Sequence, residues 1–269
     1  MQHASDHWSI AILVVALSLT ILFKIVTAQR GKLPTIRRIA GLNAIDEAVG
    51  RATEMGRPIL MIPGIGGLDI PALQAMNIFG YIGRSVAKFG NRTILAVCDP
   101  TLVGIGEEVI RDAYTSAGRP ELFNADDVRF LSDRQFAFAS GAAGIIEREK
   151  VAASFLMGAF FAEALIISEV GQRVGSIQVA ATPQFTQLPF FIATCDYVLL
   201  GDEFYAAAAY LSRNPTLLGS IVGQDYAKLL ILAIVLAGTV CSCGLALHHG
   251  GHGGHVLNAF KWFLQLFTS

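Results

Sequence analysis

The sequence has 269 residues, of which 53% are hydrophobic and only 15% are charged, and its formal net charge at pH 7 is −1. Soluble domains average about 25% charged residues, so this composition argues against an entirely soluble protein. A near-neutral chain without a basic domain also argues against nucleic acid as a partner.

Residues 9–28 form the first of two long apolar stretches, and each is close to the ~20 residues that a helix needs to cross a bilayer. The preceding residues 1–8 hold no Lys or Arg, which a cleaved signal peptide would need. Basic residues follow the stretch instead: Arg30, Lys32, Arg37 and Arg38. The sequence therefore predicts an uncleaved membrane anchor, with a basic linker over 29–40 in the cytoplasm and the N-terminus outside.

Residues 41–225 are predicted to form a cytoplasmic α/β domain that begins with a helix over 42–56. Short apolar strands then alternate with helices, and each predicted strand precedes a helix. The predicted strands cover 58–62, 92–99, 127–133, 176–182 and 196–202. This alternation predicts an α/β fold with a Rossmann-like, doubly wound parallel sheet of about five strands.

One apolar stretch, Val151 to Ser168, has two interpretations. A third membrane span would place Glu163 inside the bilayer, at a cost of about 2.5–3.5 kcal/mol near its centre. No turn signal separates the stretch from the charged residues 144–150 that precede it. We therefore predict one long helix that runs through Glu169 and is buried in the domain.

The turn after the first predicted strand is rich in glycine. Doubly wound sheets bind ligands beyond the carboxyl ends of their strands, where the strand order reverses. A ligand-binding crevice would accordingly use Gly64, Gly66, Gly67, Asp69, Asp99 and Thr182. A dinucleotide fingerprint, however, needs a third glycine where Asp69 stands. A carboxylate at this N-cap position takes the backbone amides that a phosphate would use. The preferred interpretation is a sharp strand-to-helix turn, a small-molecule site is second, and no cofactor can be named.

Groups for covalent catalysis are scarce in the predicted domain. All six histidines lie outside it, so neither a Ser-His-Asp nor a Cys-His device is expected there. Cys98 and Cys195 each precede an aspartate, which disfavours a reactive thiolate. Glu163 would either form hydrogen bonds within the domain, which is the preferred interpretation, or act as a protonated functional group.

Residues 229–247 form the second predicted membrane helix and carry the C-terminus outside again. The segment 248–255 is rich in glycine and histidine, and its four imidazoles could bind Zn, Ni or Cu: His248, His249, His252 and His255. A flexible linker that happens to contain histidines is the preferred interpretation. Residues 256–269 are predicted to form an amphipathic helix that lies on the outer leaflet or contacts a partner.

The run NAIDEAVGRATEMGRP, from Asn43 to Pro58, is distinctive. With it the sequence resembles an uncharacterised family of prokaryotic membrane proteins that is defined only as a domain of unknown function. The resemblance continues through the α/β region and implies a membrane-anchored α/β domain. It implies no activity, substrate or catalytic residue.

The leading functional hypothesis is a non-catalytic protein of the inner (plasma) membrane whose cytoplasmic domain serves assembly or scaffolding. Its partners would be further copies of the chain or other membrane proteins. The second hypothesis is a membrane-bound sensor or enzyme that binds a small, nucleotide-like molecule in the Gly64–Gly67 crevice. The third is metal transport through Cys241, Cys243 and the tail histidines, which would need an oligomer because two spans enclose no pathway.

Overall fold

The computed structural model describes residues 8–31 and 40–248, and it describes side chains over 11–31 and 41–240. The chain divides into two compact units. Met1–Thr35 and Asn214–Ser269 form the helical unit, and Ile36–Arg213 form the α/β unit. Residues 1–7, most of the predicted linker, the tail after His248 and the predicted C-terminal helix lie outside the described residues, so the predictions made for them stay predictions.

Nine α-helices and six strands occur within the described residues. In chain order they are α1 (Trp8–Gln29), α2 (Ala40–Met55), β1 (Ile59–Gly64), α3 (Ile70–Lys88), β2 (Thr93–Val97), α4 (Thr101–Ser116), β3 (Val128–Phe130), α5 (Gln135–Glu149), β4 (Ala153–Ala159), α6 (Glu163–Val174), β5 (Ile177–Thr182), α7 (Leu188–Thr194), β6 (Tyr197–Leu200), α8 (Asp202–Ser212) and α9 (Pro215–His248).

The helical unit consists of α1 and α9. Within the described residues, two segments are long and apolar enough to cross a membrane, Ala11–Gln29 and Pro215–Val240. The predicted apolar stretch 229–247 lies in α9, which begins at Pro215. Proline suits the first turn of a helix, and the side chain of Asn214 accepts a hydrogen bond from the backbone N–H of Thr216 at 3.0 Å.

Two glycines one turn apart on α9 allow it to approach α1 closely. A Cβ at Gly219 would lie 2.7 Å from the Cα of Ile25, and a Cβ at Gly223 would lie 2.9 Å from the Cα of Ile21. This is the small-residue spacing that brings helix backbones together in membranes. The Lys24 ammonium also lies 3.8 Å from the centroid of the Tyr226 ring. This glycine pair was not predicted from the sequence.

All strands of the α/β unit are parallel, and their order is β3-β2-β1-β4-β5-β6. This is the strand order of the Rossmann fold, with the reversal between β1 and β4. Successive residues of a strand face opposite sides of the sheet. Ile59 and Met61 accordingly pack in one core with α2, α3, α4 and α8, whereas Leu60 and Ile62 pack in a second core with α5, α6 and α7. The predicted α/β fold is confirmed, with six strands where about five were expected.

The prediction of one long helix through Glu169 is wrong. The chain forms α5, then the central strand β4, and then α6. Helix α5 ends because Lys150 adopts the left-handed conformation (φ 48°, ψ 53°), which is usually taken by glycine at a helix end. All seven residues of β4 are buried, so the strand lacks the polar–apolar alternation that would have distinguished it from a helix. Because the same residues pair with β1 and β5, this stretch is not a third membrane span either.

Candidate functional site

The carboxyl ends of β1 and β4 meet at the point where the strand order reverses. Gly64 (φ 90°) and Gly158 (φ 132°) lie there on adjacent strands. A Cβ at Gly64 would collide with the carbonyl of Ala159, and a Cβ at Gly158 would collide with the carbonyl of Pro63. The backbone N–H of Ile65 donates to the Ala159 carbonyl at 2.8 Å. The main chain therefore closes the base of the predicted crevice, and both positions need glycine.

The glycine turn is followed by a carboxylate that caps α3. Asp69 is the N-cap residue, and its Oδ1 accepts a hydrogen bond from the backbone N–H of Ala72 at 2.7 Å. The turn approaches this carboxylate so closely that a Cβ at Gly66 would collide with it. The predicted N-cap is confirmed. The helix amide that a bound phosphate would use is thus occupied by the protein's own side chain.

A second carboxylate lies beside the same turn. Asp99 follows β2, and a Cβ at Gly67 would lie 2.9 Å from its Oδ2. Its Oδ1 accepts hydrogen bonds from the backbone N–H and the hydroxyl of Thr101 at 2.8 and 2.7 Å. These bonds hold the pKa of the Asp99 carboxyl below its usual value. The turn is therefore flanked by two carboxylates, which repel an anionic ligand.

The structure brings together most of the residues predicted for the crevice, but not Thr182. Gly64, Gly66, Gly67, Asp69 and Asp99 belong to the connections after the neighbouring strands β1 and β2. Thr182 ends β5, which β4 separates from β1. Its side chain is fully buried, and its Oγ1 accepts a hydrogen bond from the backbone N–H of Gln184 at 3.2 Å. Thr182 thus stabilises its own turn.

Glu163 is fully buried at the start of α6. Its Oε1 accepts a hydrogen bond from the backbone N–H of Phe161 at 2.8 Å, and its Oε2 accepts one from the side chain of Gln135 at 2.6 Å. Gln135 begins α5, so this carboxylate ties the connection after β3 to the connection after β4. The preferred interpretation, a hydrogen-bonding role within the domain, is what the structure shows. Sequence spacing gave no signal for Gln135.

Both cysteines of the α/β unit are protonated thiols at neutral pH. Burial is the main cause that raises the pKa of Cys98, and the charges of Asp99 and Glu163 add to it. Burial likewise raises the pKa of Cys195 to about 12, with a smaller contribution from Asp196. The sequence analysis attributed the effect to the neighbouring aspartates alone and missed the larger contribution of burial.

The carboxyl ends of the strands present large exposed apolar side chains, a feature that the sequence analysis missed. They end or follow five of the six strands and are called the apolar edge below. Its members are Leu68, Ile70, Phe130, Phe136, Phe161, Phe185 and Leu200, and their exposed fractions range from 44% to 71%. Leu68, Phe136 and Phe185 come soon after three of the predicted strands, a signal that could have identified part of this surface.

No group of three or more His, Cys, Asp or Glu within the described part of the chain is arranged to hold a metal ion. This absence does not test the predicted metal site of the tail. His249, His252 and His255 follow the described residues, and the side chain of His248 is not described. Metal binding by the tail stays a prediction.

A family model described as Domain of unknown function (DUF6754) matches residues 2–249. The chain belongs to this family. No curated protein and no solved structure matches the chain. The family match confirms the resemblance to a domain of unknown function, and no activity or partner comes with it.

Proposed function

We propose that this chain is a membrane-anchored assembly protein whose α/β unit binds a second copy of itself through the apolar edge. The exposure of this edge is the observation that carries the proposal. Monomeric proteins rarely expose contiguous apolar patches larger than a few hundred Å², and larger ones mark interaction sites. In this fold the same edge is where a small ligand would otherwise bind.

The size of the edge suits a protein interface. An aromatic side chain can bury about 150–250 Å², so the exposed fractions of its four phenylalanines alone offer roughly 300–550 Å². The exposed fractions of Phe136 and Phe185 are the largest of the four, at 60% and 71%. A specific interface buries about 800 Å² on each partner. The phenylalanines thus supply about half of that area before Leu68, Ile70 and Leu200 are added.

The charges on the same edge favour a protein partner over a lipid surface. In addition to the buried Glu163, the connections and first helical turns at this edge hold five acidic residues and only one basic residue, Arg134. The acidic residues are Asp69, Asp99, Asp133, Asp202 and Glu203. The cytoplasmic leaflet is anionic and attracts basic segments, so it would repel this edge.

A second copy of the chain is the partner that the architecture favours. If Ala11–Gln29 and Pro215–Val240 span the bilayer, they confine every copy to the same two-dimensional layer and raise its effective concentration. A twofold interface is self-complementary, so one apolar surface serves both partners. The alternative of a nucleotide-like ligand in the Gly64–Gly67 crevice has less support, because Asp69 caps α3 and two carboxylates flank the turn.

The native mass of the full chain in mild detergent tests the proposal. We expect a dimer or larger oligomer for the natural sequence and a monomer for the double variant Phe136→Asp/Phe185→Asp. The matched control is Phe89→Asp, since Phe89 is 64% exposed but lies at the other end of the sheet, where α3 ends. Circular dichroism would establish that all three proteins are folded.

Three outcomes would overturn self-association through this edge. The natural protein could be monomeric, the double variant could keep the oligomer, or Phe89→Asp could dissociate it equally. A different protein could also co-purify in fixed proportion with the natural chain and be lost from the double variant. In that case the partner at the apolar edge is that protein and not a second copy of the chain.

A further inference from the structure

A polar cavity of about 310 Å³ lies at the amino ends of β5 and β6, opposite the apolar edge. It belongs to the α/β unit alone. The ends of α6 and α7, the turn before β6 and one side chain of α2 line it. The polar side chains of its wall are Arg51, Gln172, Ser176, Gln178, Thr194 and Asp196, and the thiol of Cys195 lines it as well. Ligand pockets range over about 300–1,000 Å³, so this cavity suits a small molecule.

The positive group of the cavity is Arg51. This side chain is exposed, and no carboxylate within the described residues forms an ion pair with it. Glu47, one turn before Arg51 on α2, instead accepts a hydrogen bond from the hydroxyl of Tyr197 at 2.9 Å. The guanidinium therefore keeps its fork of N–H donors available for a carboxylate.

The negative side of the cavity is built from Asp196 and the end of α6. One oxygen of Asp196, Oδ2, accepts a hydrogen bond from the backbone N–H of Gln178 at 2.8 Å, which fixes the position of the carboxylate. Helix α6 ends at Val174, and Gly175 after it lines the cavity. The carbonyl end of a helix carries a partial negative charge. Both features favour a cationic or N–H-rich group.

A buried amide fixes the shape of the wall. Gln178 is 1% exposed, and its Nε2 donates to the carbonyls of Ser168 and Thr194 at 2.8 and 3.1 Å. Its Oε1 has no hydrogen-bond partner within the described part of the chain. A Cβ at Gly171 would collide with this oxygen, so the oxygen packs against α6, and only the two Nε2 hydrogen bonds bear on the wall.

We propose that this cavity binds a small zwitterion that carries both a carboxylate and a protonated amine, the chemical class of the free amino acids. Arg51 binds the carboxylate. Asp196 and the carbonyl end of α6 bind the ammonium group. Ile177 and Ala193 also line the cavity and provide an apolar wall for a short side chain. The site does not depend on the apolar edge, so it goes beyond the assembly function.

Calorimetric titration of the full chain in mild detergent with individual amino acids tests the proposal. We expect saturable binding of at least one amino acid and a loss of affinity of about tenfold or more in Arg51→Gln and in Asp196→Asn. Asparagine keeps an oxygen for the Gln178 N–H, so the second variant preserves the fold. The matched control is Arg57→Gln, because Arg57 is exposed just after α2 and does not line the cavity.

Two half-ligands, butyrate and butylamine, separate a zwitterion site from a simple ion site. Neither should match the affinity of the amino acid. Butyrate binding as tightly as the amino acid would overturn the proposal, and so would the absence of saturable binding up to about 10 mM. Unchanged affinity in both variants would overturn it as well. The native mass should not respond to Arg51→Gln or Asp196→Asn, so failure here is distinguishable from failure of the assembly function.

Discussion

The two edges of the parallel sheet differ in chemistry. The carboxyl edge is apolar and exposed, and its carboxylates cap helices or tie connections together, as Asp69 and Glu163 do. The amino edge holds ion pairs, such as that of Arg92 with Asp127, and the polar cavity. In doubly wound folds the ligand normally binds at the carboxyl edge. The difference teaches that fold alone does not locate a binding site, and that each edge must be judged by its own side chains.

The largest effect is expected where the backbone closes the carboxyl edge. Gly158→Ala would place a Cβ against the Pro63 carbonyl at a φ of 132°, so we expect the free energy of unfolding to fall by roughly 3 kcal/mol or more. The amino-edge control is Gly118→Ala, with φ 75° but no atom within 4 Å of the added Cβ, which should cost about 1 kcal/mol. Urea unfolding of the full chain in mild detergent, followed by pulse proteolysis, measures both. Equal losses would show that the edge is not closed by main chain.

The next effect tests the ion pairs of the amino edge. Asp127 accepts hydrogen bonds from Arg92 at 2.6–3.0 Å, and its side chain is only 7% exposed. Asp127→Ala should lower the free energy of unfolding by about 2 kcal/mol, less than for a fully buried pair because Arg92 is 45% exposed. Glu147→Ala removes the exposed ion pair with Arg173 and should change the free energy of unfolding by less than about 0.5 kcal/mol. The same urea titration would contradict this interpretation if the two variants were equally stable.

A smaller effect is expected from the buried carboxylate of the carboxyl edge. In Glu163→Gln, the new amide oxygen can still accept from the N–H of Phe161, but the bond with Gln135 is kept only if Gln135 turns its own carbonyl toward the new N–H₂ in this buried site. We expect a loss of about 1–2 kcal/mol in the free energy of unfolding. Glu169→Gln, on the exposed face of the same helix, is the control and should be nearly neutral. A neutral Glu163→Gln would contradict this role, because the two connections would then be held together equally well without the carboxylate.

Near neutral pH, the smallest effect on stability concerns the ionisation of the cysteines of the two edges. With a pKa of about 12 in the folded chain against about 8.5 unfolded, Cys195 at the amino edge contributes stability below pH ~9 that is lost as pH rises toward 12. At pH 8 its alkylation should be at least about a hundredfold slower than in urea. Cys98 at the carboxyl edge has a raised pKa as well and should also be slow. Mass spectrometry of the alkylated peptides measures each site, and fast labelling of Cys195 in the folded chain would contradict its raised pKa.

Local signals in the sequence were sufficient for most of the fold. Asp69 could be identified as an N-cap because it precedes Ile70 and Pro71, and five strands lie between recognisable turn residues. Strand β4 was missed because Lys150, not glycine, ends α5 and because both faces of the strand are buried. The cavity could not be predicted, since it joins Arg51 to Asp196 across 145 residues of sequence (196 − 51).

The close approach of Gly219 and Gly223 to α1 has a consequence for biosynthesis. Gln29 of α1 donates a hydrogen bond to Thr216 of α9, 187 residues later. At translation rates of about 5–20 residues per second, α1 emerges roughly 10–40 seconds before its partner helix. During that interval the nascent chain holds α1 alone while the whole α/β unit is synthesised. The α/β unit is therefore synthesised before α9, and the two helices can pair only after α9 has left the ribosome as well.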